Sequence, residues 1–177
     1  LRRRRSSPSL PTTEPAWTAG VSIRRVRDIA AEHDERAVAT IICAALERTY
    51  ASTLDCPELA GLRATTDILA SHKATGAHDP STWWLIFKDA EPEGCVLLSP
   101  TPELNAIELV YVGISPRLRG VGLGRTALTY ALADAIARTP GADVTCAVDS
   151  RNAPARSMYD DIGFRKYSER IPFIQAI

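Results

Sequence analysis

The sequence predicts one α/β domain with a mixed sheet, and three observations carry that prediction. Short runs that alternate or are apolar throughout (SIRRVR, TWWLIFK, GCVLLS, AIELVYVGI, DVTCAVD) read as strands. Longer segments between them repeat apolar residues at helical spacing. A length of 177 residues with 45% hydrophobic content suits a single well-buried core.

Each element follows from local chemistry. Residues 1–20 are rich in Arg, Ser, Pro and Thr without an apolar period, so they are expected to form a disordered tail, leaving 21–177 as the domain. SIRRVR alternates as a strand, and in HDERAVATIICAALERTY the residues Val38, Ile41, Ile42, Ala45 and Leu46 mark an amphipathic helix. PELAGLRATTDILASHKA reads as a second helix interrupted by Gly61, with Pro57 suited to a first turn. TWWLIFK and GCVLLS form a hairpin across the turn-rich DAEPE. Trp83 and Trp84 then point to opposite faces of the sheet, one of them towards a helix or a cleft.

AIELVYVGI, residues 106–114, is apolar on both faces, the mark of a central strand, and Pro116 ends it. Leu123, Ala127, Leu128, Leu132, Ala135 and Ile136 repeat at helical spacing until Pro140 and Gly141. DVTCAVD is a further strand, NAPARSMYDDIG a helix and FRKYSERI a last strand. The order is β-α-α-β-β-β-α-β-α-β.

Composition narrows the function. Lys plus Arg and Asp plus Glu both number 21, and the sequence pI is about 7.0, so no basic footprint points to nucleic acid or an anionic membrane. Cys43, Cys56, Cys95 and Cys146 form no CxxC pair and have no His at ligand spacing, so no metal is expected and the thiols read as reduced and mostly buried. No apolar run approaches the ~20 residues of a membrane span, and a cytoplasmic location is the expectation.

The chemistry concentrates in SPRLRGVGLGRTAL, residues 115–128. A strand that turns through glycines into a helix leaves backbone N–H groups at the positive end of the helix dipole, which makes an anion site. Arg117, Arg119 and Arg125 would add side-chain charge. A P-loop needs GxxxxGK[ST], and there is no Gly-Lys pair; Gly120, Gly122 and Gly124 run GxGxG rather than the GxGxxG of dinucleotide folds.

The segment resembles the acetyl-CoA motif [Q/R]-x-x-G-x-[G/A] of the GCN5-related N-acetyltransferases (GNAT superfamily), matched by Arg119-Gly120-Val121-Gly122-Leu123-Gly124. A second family element, N-x-x-A-x-x-x-Y-x-x-x-G-F, is matched by Asn152, Ala155, Tyr159, Gly163 and Phe164. The resemblance implies the GNAT fold, a mixed central sheet flanked by helices. It also implies acetyl-CoA as acyl donor: Arg119 to Arg125 hold its pyrophosphate, the backbone of Val112, Gly113 and Ile114 pairs with its pantetheine arm, and Asn152 contacts it. Tyr159 is implied to be the general acid beside the CoA sulfur.

Glu108 is the only ionisable residue in the central strand apart from Tyr111, and some family members carry a catalytic glutamate at a similar distance before the loop. The base is Glu108, Asp149 or a water relay, with Asp149 equally suited to capping the next helix. The implied reaction is acetyl transfer to a primary amine of a small molecule, peptide or protein; a non-catalytic acyl-CoA sensor or scaffold is the alternative. The histidines lie outside both motifs and read as exposed or structurally satisfied. Asp55, Glu58, Asp67 and Asp79, interspersed with Arg63, His72 and Lys73, give no charge preference for the acceptor. Only IPFIQAI follows Arg170, too little for the family's closing hairpin unless Phe173 to Ile177 is a short strand; a second subunit, making a homodimer, would also complete that edge.

Overall fold

In the computed structural model, residues 1–4, 10, 13, 15–59 and 61–171 are described. Their strands are β1 (Arg2–Arg3), β2 (Val21–Arg25), β3 (Trp83–Lys88), β4 (Glu91–Thr101), β5 (Ala106–Ile114) and β6 (Asp143–Cys146). Their helices are α1 (Val26–Ala30), α2 (Glu35–Tyr50), α3 (Thr65–Lys73), α4 (Leu123–Arg138) and α5 (Ala153–Asp161). The strands join in one sheet of order β1-β6-β5-β4-β3-β2, in which only β5 and β6 pair in parallel. This is the mixed α/β architecture that the alternating strand and helix signals predict.

Local chemistry sets the boundaries. The Asp34 side chain accepts from Ala37 N at 2.8 Å and starts α2. Asp89 and Ala90, both with positive φ, turn β3 back onto β4 in the tight hairpin that DAEPE suggests. Pro57 opens only a 3-10 turn at Pro57–Leu59; the helix proper waits until Thr65, past Gly61 with its φ of +77°.

The sheet is buried on both faces. Trp84, Val96, Leu98, Ile107 and Leu109 pack on one side with Leu128, Leu132 and Phe164 from the α4 and α5 regions. Trp83, Leu85, Cys95 and Leu97 pack on the other against Ile29, Ile42, Leu46 and Leu69 of α1 to α3. Both tryptophans are therefore interior, and the Arg25 guanidinium lies 4.3 Å from the Trp84 ring.

Two expectations at the chain ends meet a different structure. Residues 1–20 are expected outside the core, yet β1 pairs antiparallel with β6 (Arg2 with Thr145, Arg3 with Val144), and Leu1, Leu10 and Trp17 pack on the α4 side. An open β6 edge leaves backbone donors and acceptors unpaired, and two residues of β1 suffice to satisfy them. FRKYSERI forms no strand; Arg165 makes a single antiparallel bridge to Arg2, on the far side of β1. The short closing strand expected at Phe173 to Ile177 lies outside the described residues.

Candidate active site

The site is built where β5 and β6 part. Their pairing runs from Ala106 opposite Asp143 to Leu109 opposite Cys146, and there β6 ends while β5 continues to Ile114. On its other edge, β5 pairs with β4 with a register shift: Leu98 faces Leu109, but Leu97 faces Tyr111, so Val110 is an extra residue. A bulge increases local twist and bends the strand, and this one falls where β6 departs. Beyond it, Val112, Gly113 and Ile114 pair with β4 alone among the described residues, leaving one backbone edge open.

The glycine loop closes one end of this fork. After the 3-10 turn Pro116–Leu118, Gly120 and Gly122 take left-handed φ of +82° and +77°, and Gly122 is the N-cap of α4. No side chain caps that helix, so its first N–H groups point into open space beside the glycines, where an added Cβ would meet nothing.

The three arginines expected to add charge also contact protein groups. Arg117 donates to Glu93 Oε1 at 2.6 Å, Arg125 pairs with Asp161 at 2.9 Å, and Arg119 donates to Ile114 O, Ser52 O and Ser52 Oγ at 3.0, 3.1 and 2.7 Å. Each guanidinium uses only some of its N–H donors in these contacts, and the unpaired backbone amides at the start of α4 add to them.

Opposite the loop, α5 supplies the second wall. Asn152 Oδ1 caps it by accepting from Ala155 N at 3.2 Å, and its side-chain N–H2 is not used in that cap. Tyr159 is 4% exposed against Phe164, and burial, with smaller effects of Cys146 and Asp55, pushes its hydroxyl far above the usual tyrosine range. It therefore stays protonated at physiological pH.

Glu108 sits in the last paired stretch below the fork, flanked by Ser99 on β4 and Thr145 on β6, with no ion pair among the described residues. Asp149 is differently placed. It accepts from Arg151 N, the Arg151 guanidinium and Cys56 N, and these bonds, Arg151 foremost, hold its carboxyl far below the usual range. A carboxylate so stabilised is a weak base. Cys56, Glu58 and Asp149 also bring ligand atoms within 4.8 Å of one another, but Arg151 bridges both carboxylates.

Sequence reasoning did not foresee the aromatic stack that joins α2, α3 and β5. Tyr50 and Tyr111 stack at 4.6 Å, His72 stacks on Tyr111 at 5.4 Å, and Tyr50 Oη lies 3.0 Å from His72 Nε2. Burial, then Arg63, lowers His72 to about 4, so the ring is neutral at pH 7 and satisfied within the fold. Asp55, one of the acidic residues named from the sequence, gains a partner the sequence did not indicate: Asp149 N donates to its Oδ1 at 2.7 Å. These contacts join residues 22 to 94 positions apart, and no local pattern records them.

The profile of the acetyltransferase (GNAT) family matches residues 45–164, more than half of the chain and all of the fork and loop. The chain belongs to the GNAT family. No curated protein matches it. Among solved structures, a GCN5-related N-acetyltransferase from Sphaerobacter thermophilus is 20% identical with a TM-score of 0.58, covering 92% of this chain and 45% of its own, so this GNAT chain spans less than half of that protein. The ribosomal-protein-S18-alanine N-acetyltransferase of Escherichia coli is 16% identical (TM-score 0.58, 84% and 79% covered). The PaiA N-acetyltransferase of Thermoplasma acidophilum, solved with coenzyme A, is 16% identical (TM-score 0.57, 85% and 92% covered). At these identities the likeness is one of fold. No helix among the described residues of this GNAT protein is long and apolar enough to cross a membrane.

Proposed function

We propose that this chain transfers the acetyl group of acetyl-CoA to a primary amine of a small molecule, peptide or protein. The observation that carries the reading is the fork: an unpaired β5 edge runs from a buried neutral tyrosine to an uncapped helix N-terminus, the two ends a thioester and a pyrophosphate require. The pyrophosphate sits on the amides of Gly120 to Arg125, and the pantetheine pairs with Val112 to Ile114. Asn152 keeps a donor for the same arm.

In the reaction, the ammonium loses a proton to Glu108, and its nitrogen attacks the thioester carbonyl carbon. The tetrahedral oxyanion is met by a main-chain N–H at the open β5 edge. As the C–S bond breaks, the sulfur takes a proton from the Tyr159 hydroxyl and the former amine nitrogen returns its second proton to the tyrosinate, giving the neutral amide and CoA while the proton on Glu108 passes to solvent. Holding both substrates in one cleft supplies a further share of the rate.

Thiol release from acetyl-CoA over a panel of amines, with CoA binding measured in parallel, tests the reading. Turnover with at least one amine is expected. Tyr159→Phe and Glu108→Gln should each lower kcat by about 10²-fold, the low end for general acid–base groups, with CoA affinity retained. CoA binding without turnover on any amine would replace this reading with that of an acyl-CoA sensor or scaffold.

A further inference from the structure

Residues 51–59 cross the fork as a strap fixed at both ends. At one end Arg119, next to the glycine loop, donates to Ser52 O and Oγ. At the other, the segment beyond β6 is tied on by reciprocal bonds, Cys56 N to Asp149 Oδ2 at 3.2 Å and Asp149 N to Asp55 Oδ1 at 2.7 Å. Arg151 adds a two-pronged pair with Glu58, both contacts at 2.9 Å. The strap is thus anchored to both arms of the opening, and Asp55 is carried between them.

Charge around the opening is almost wholly neutralised in pairs. Glu93 has Arg48 and Arg117, Asp161 has Arg125, and Glu58 and Asp149 share Arg151. Arg119 and Arg63 contact only carbonyl and hydroxyl oxygens, and on the acidic side the carboxylates of Asp55 and Glu108 have no cationic partner among the described residues, that of Asp55 accepting only the Asp149 N–H. Both lie near Cys146, the last residue of β6, whose thiol is raised first by burial and, against the pull of the terminal amine, by these two carboxylates. Asp55 also acts on Tyr50 and Tyr111 on one face of the sheet and on Tyr159 on the other, as a group lying over the fork must. Asp55, whose charge reaches both stacked rings, offers a cation counter-charge beside an aromatic surface, against the single Arg63 charge that also reaches Tyr50.

We propose that Asp55 is a specificity-determining residue that pairs with the ammonium group of the acceptor, so that the enzyme selects aliphatic amines without an adjacent negative charge and delivers them to Glu108. The proposal rests on the acetyl-transfer reading above. An α-amino acid brings its own carboxylate against Asp55, and an arylamine is uncharged at neutral pH and forgoes the pair.

The test compares kcat/KM at pH 7.5 for 1,4-diaminobutane, a lysine-bearing peptide, glutamate and 4-methylaniline. The diamine or the peptide should exceed glutamate and the arylamine by at least tenfold, and which of the two leads assigns the ammonium to a free amine or to a peptide side chain. Asp55→Asn should cut that preference at least tenfold, mainly through KM for the cationic acceptor, while Asp55→Glu restores it. CoA affinity, unchanged in both variants, shows that the fold is intact. A preference for glutamate or the arylamine, or an Asp55→Asn enzyme with the preference undiminished, overturns the proposal while leaving acetyl transfer standing. No turnover by the unaltered enzyme with any of the four overturns the acetyl-transfer reading itself.

Discussion

Glu93 shows how single residues hold this site in shape. Its side chain is 1% exposed, yet it takes Arg48 from α2 and Arg117 from the turn before the glycine loop, each at 2.6 Å. Burial raises its carboxyl, but Ser115, Arg48 and Arg117 together outweigh burial, and the group lies below its ordinary value. Glu93→Gln keeps the shape and removes the charge, leaving two guanidiniums without their shared partner. A loss of roughly 1–3 kcal/mol in denaturant-derived stability is expected; an unchanged midpoint would mean that the partly exposed arginines are satisfied by water. The sequence could nominate Tyr159 and Glu108 because each sits at a fixed distance from a motif. It could not nominate Glu93, the Tyr50–His72–Tyr111 stack or the Asp149 contact of Asp55, because these depend on partners that only the folded chain brings near.

At the scale of elements, periodicity revealed the long pieces and failed on the short ones. α2, α4, β3 and β5 each run long enough for a helical or strand pattern to repeat, and all four form where the pattern places them. β1 has two residues and no period, so pairing with β6, rather than anything local, makes it a strand. The strap is still less legible, since its order comes from side chains of other segments. The loop lies between these extremes: glycine spacing predicted its form, and the φ of +77° at Gly122 supplies the reason. Gly122→Ala forces a left-handed alanine at the helix cap, at a cost of about 1–2 kcal/mol, and turns the first amides away from the phosphate. KM for acetyl-CoA should rise about tenfold with kcat nearly unchanged, as steady-state kinetics would show. A fall in kcat at unaltered KM would instead place the loop's role after cofactor binding.

Across the whole molecule, the stack of His72 with Tyr111 and Tyr50 ties α3 and α2 to the central strand, and it makes stability depend on pH. Burial first, and Arg63 second, depress His72 from 6.5 to about 4 in the folded protein. The unfolded chain therefore binds this proton first as the pH drops. The contribution is complete above about 6.5, shrinks through the acid range and is gone below about 4. Between pH 7 and pH 5, where most carboxylates remain ionised, the expected loss is on the order of 1–2 kcal/mol, reduced from the full linkage value because the ring keeps some contact with water. His78, also lowered chiefly by burial, titrates in the same direction and adds to the slope. His72→Gln removes one contribution and leaves the other, so urea melts of the variant should show a shallower decline over this interval than those of the unaltered chain. Parallel declines would mean that Tyr50 and water accommodate an imidazolium at position 72, and that the stack does not couple folding to pH.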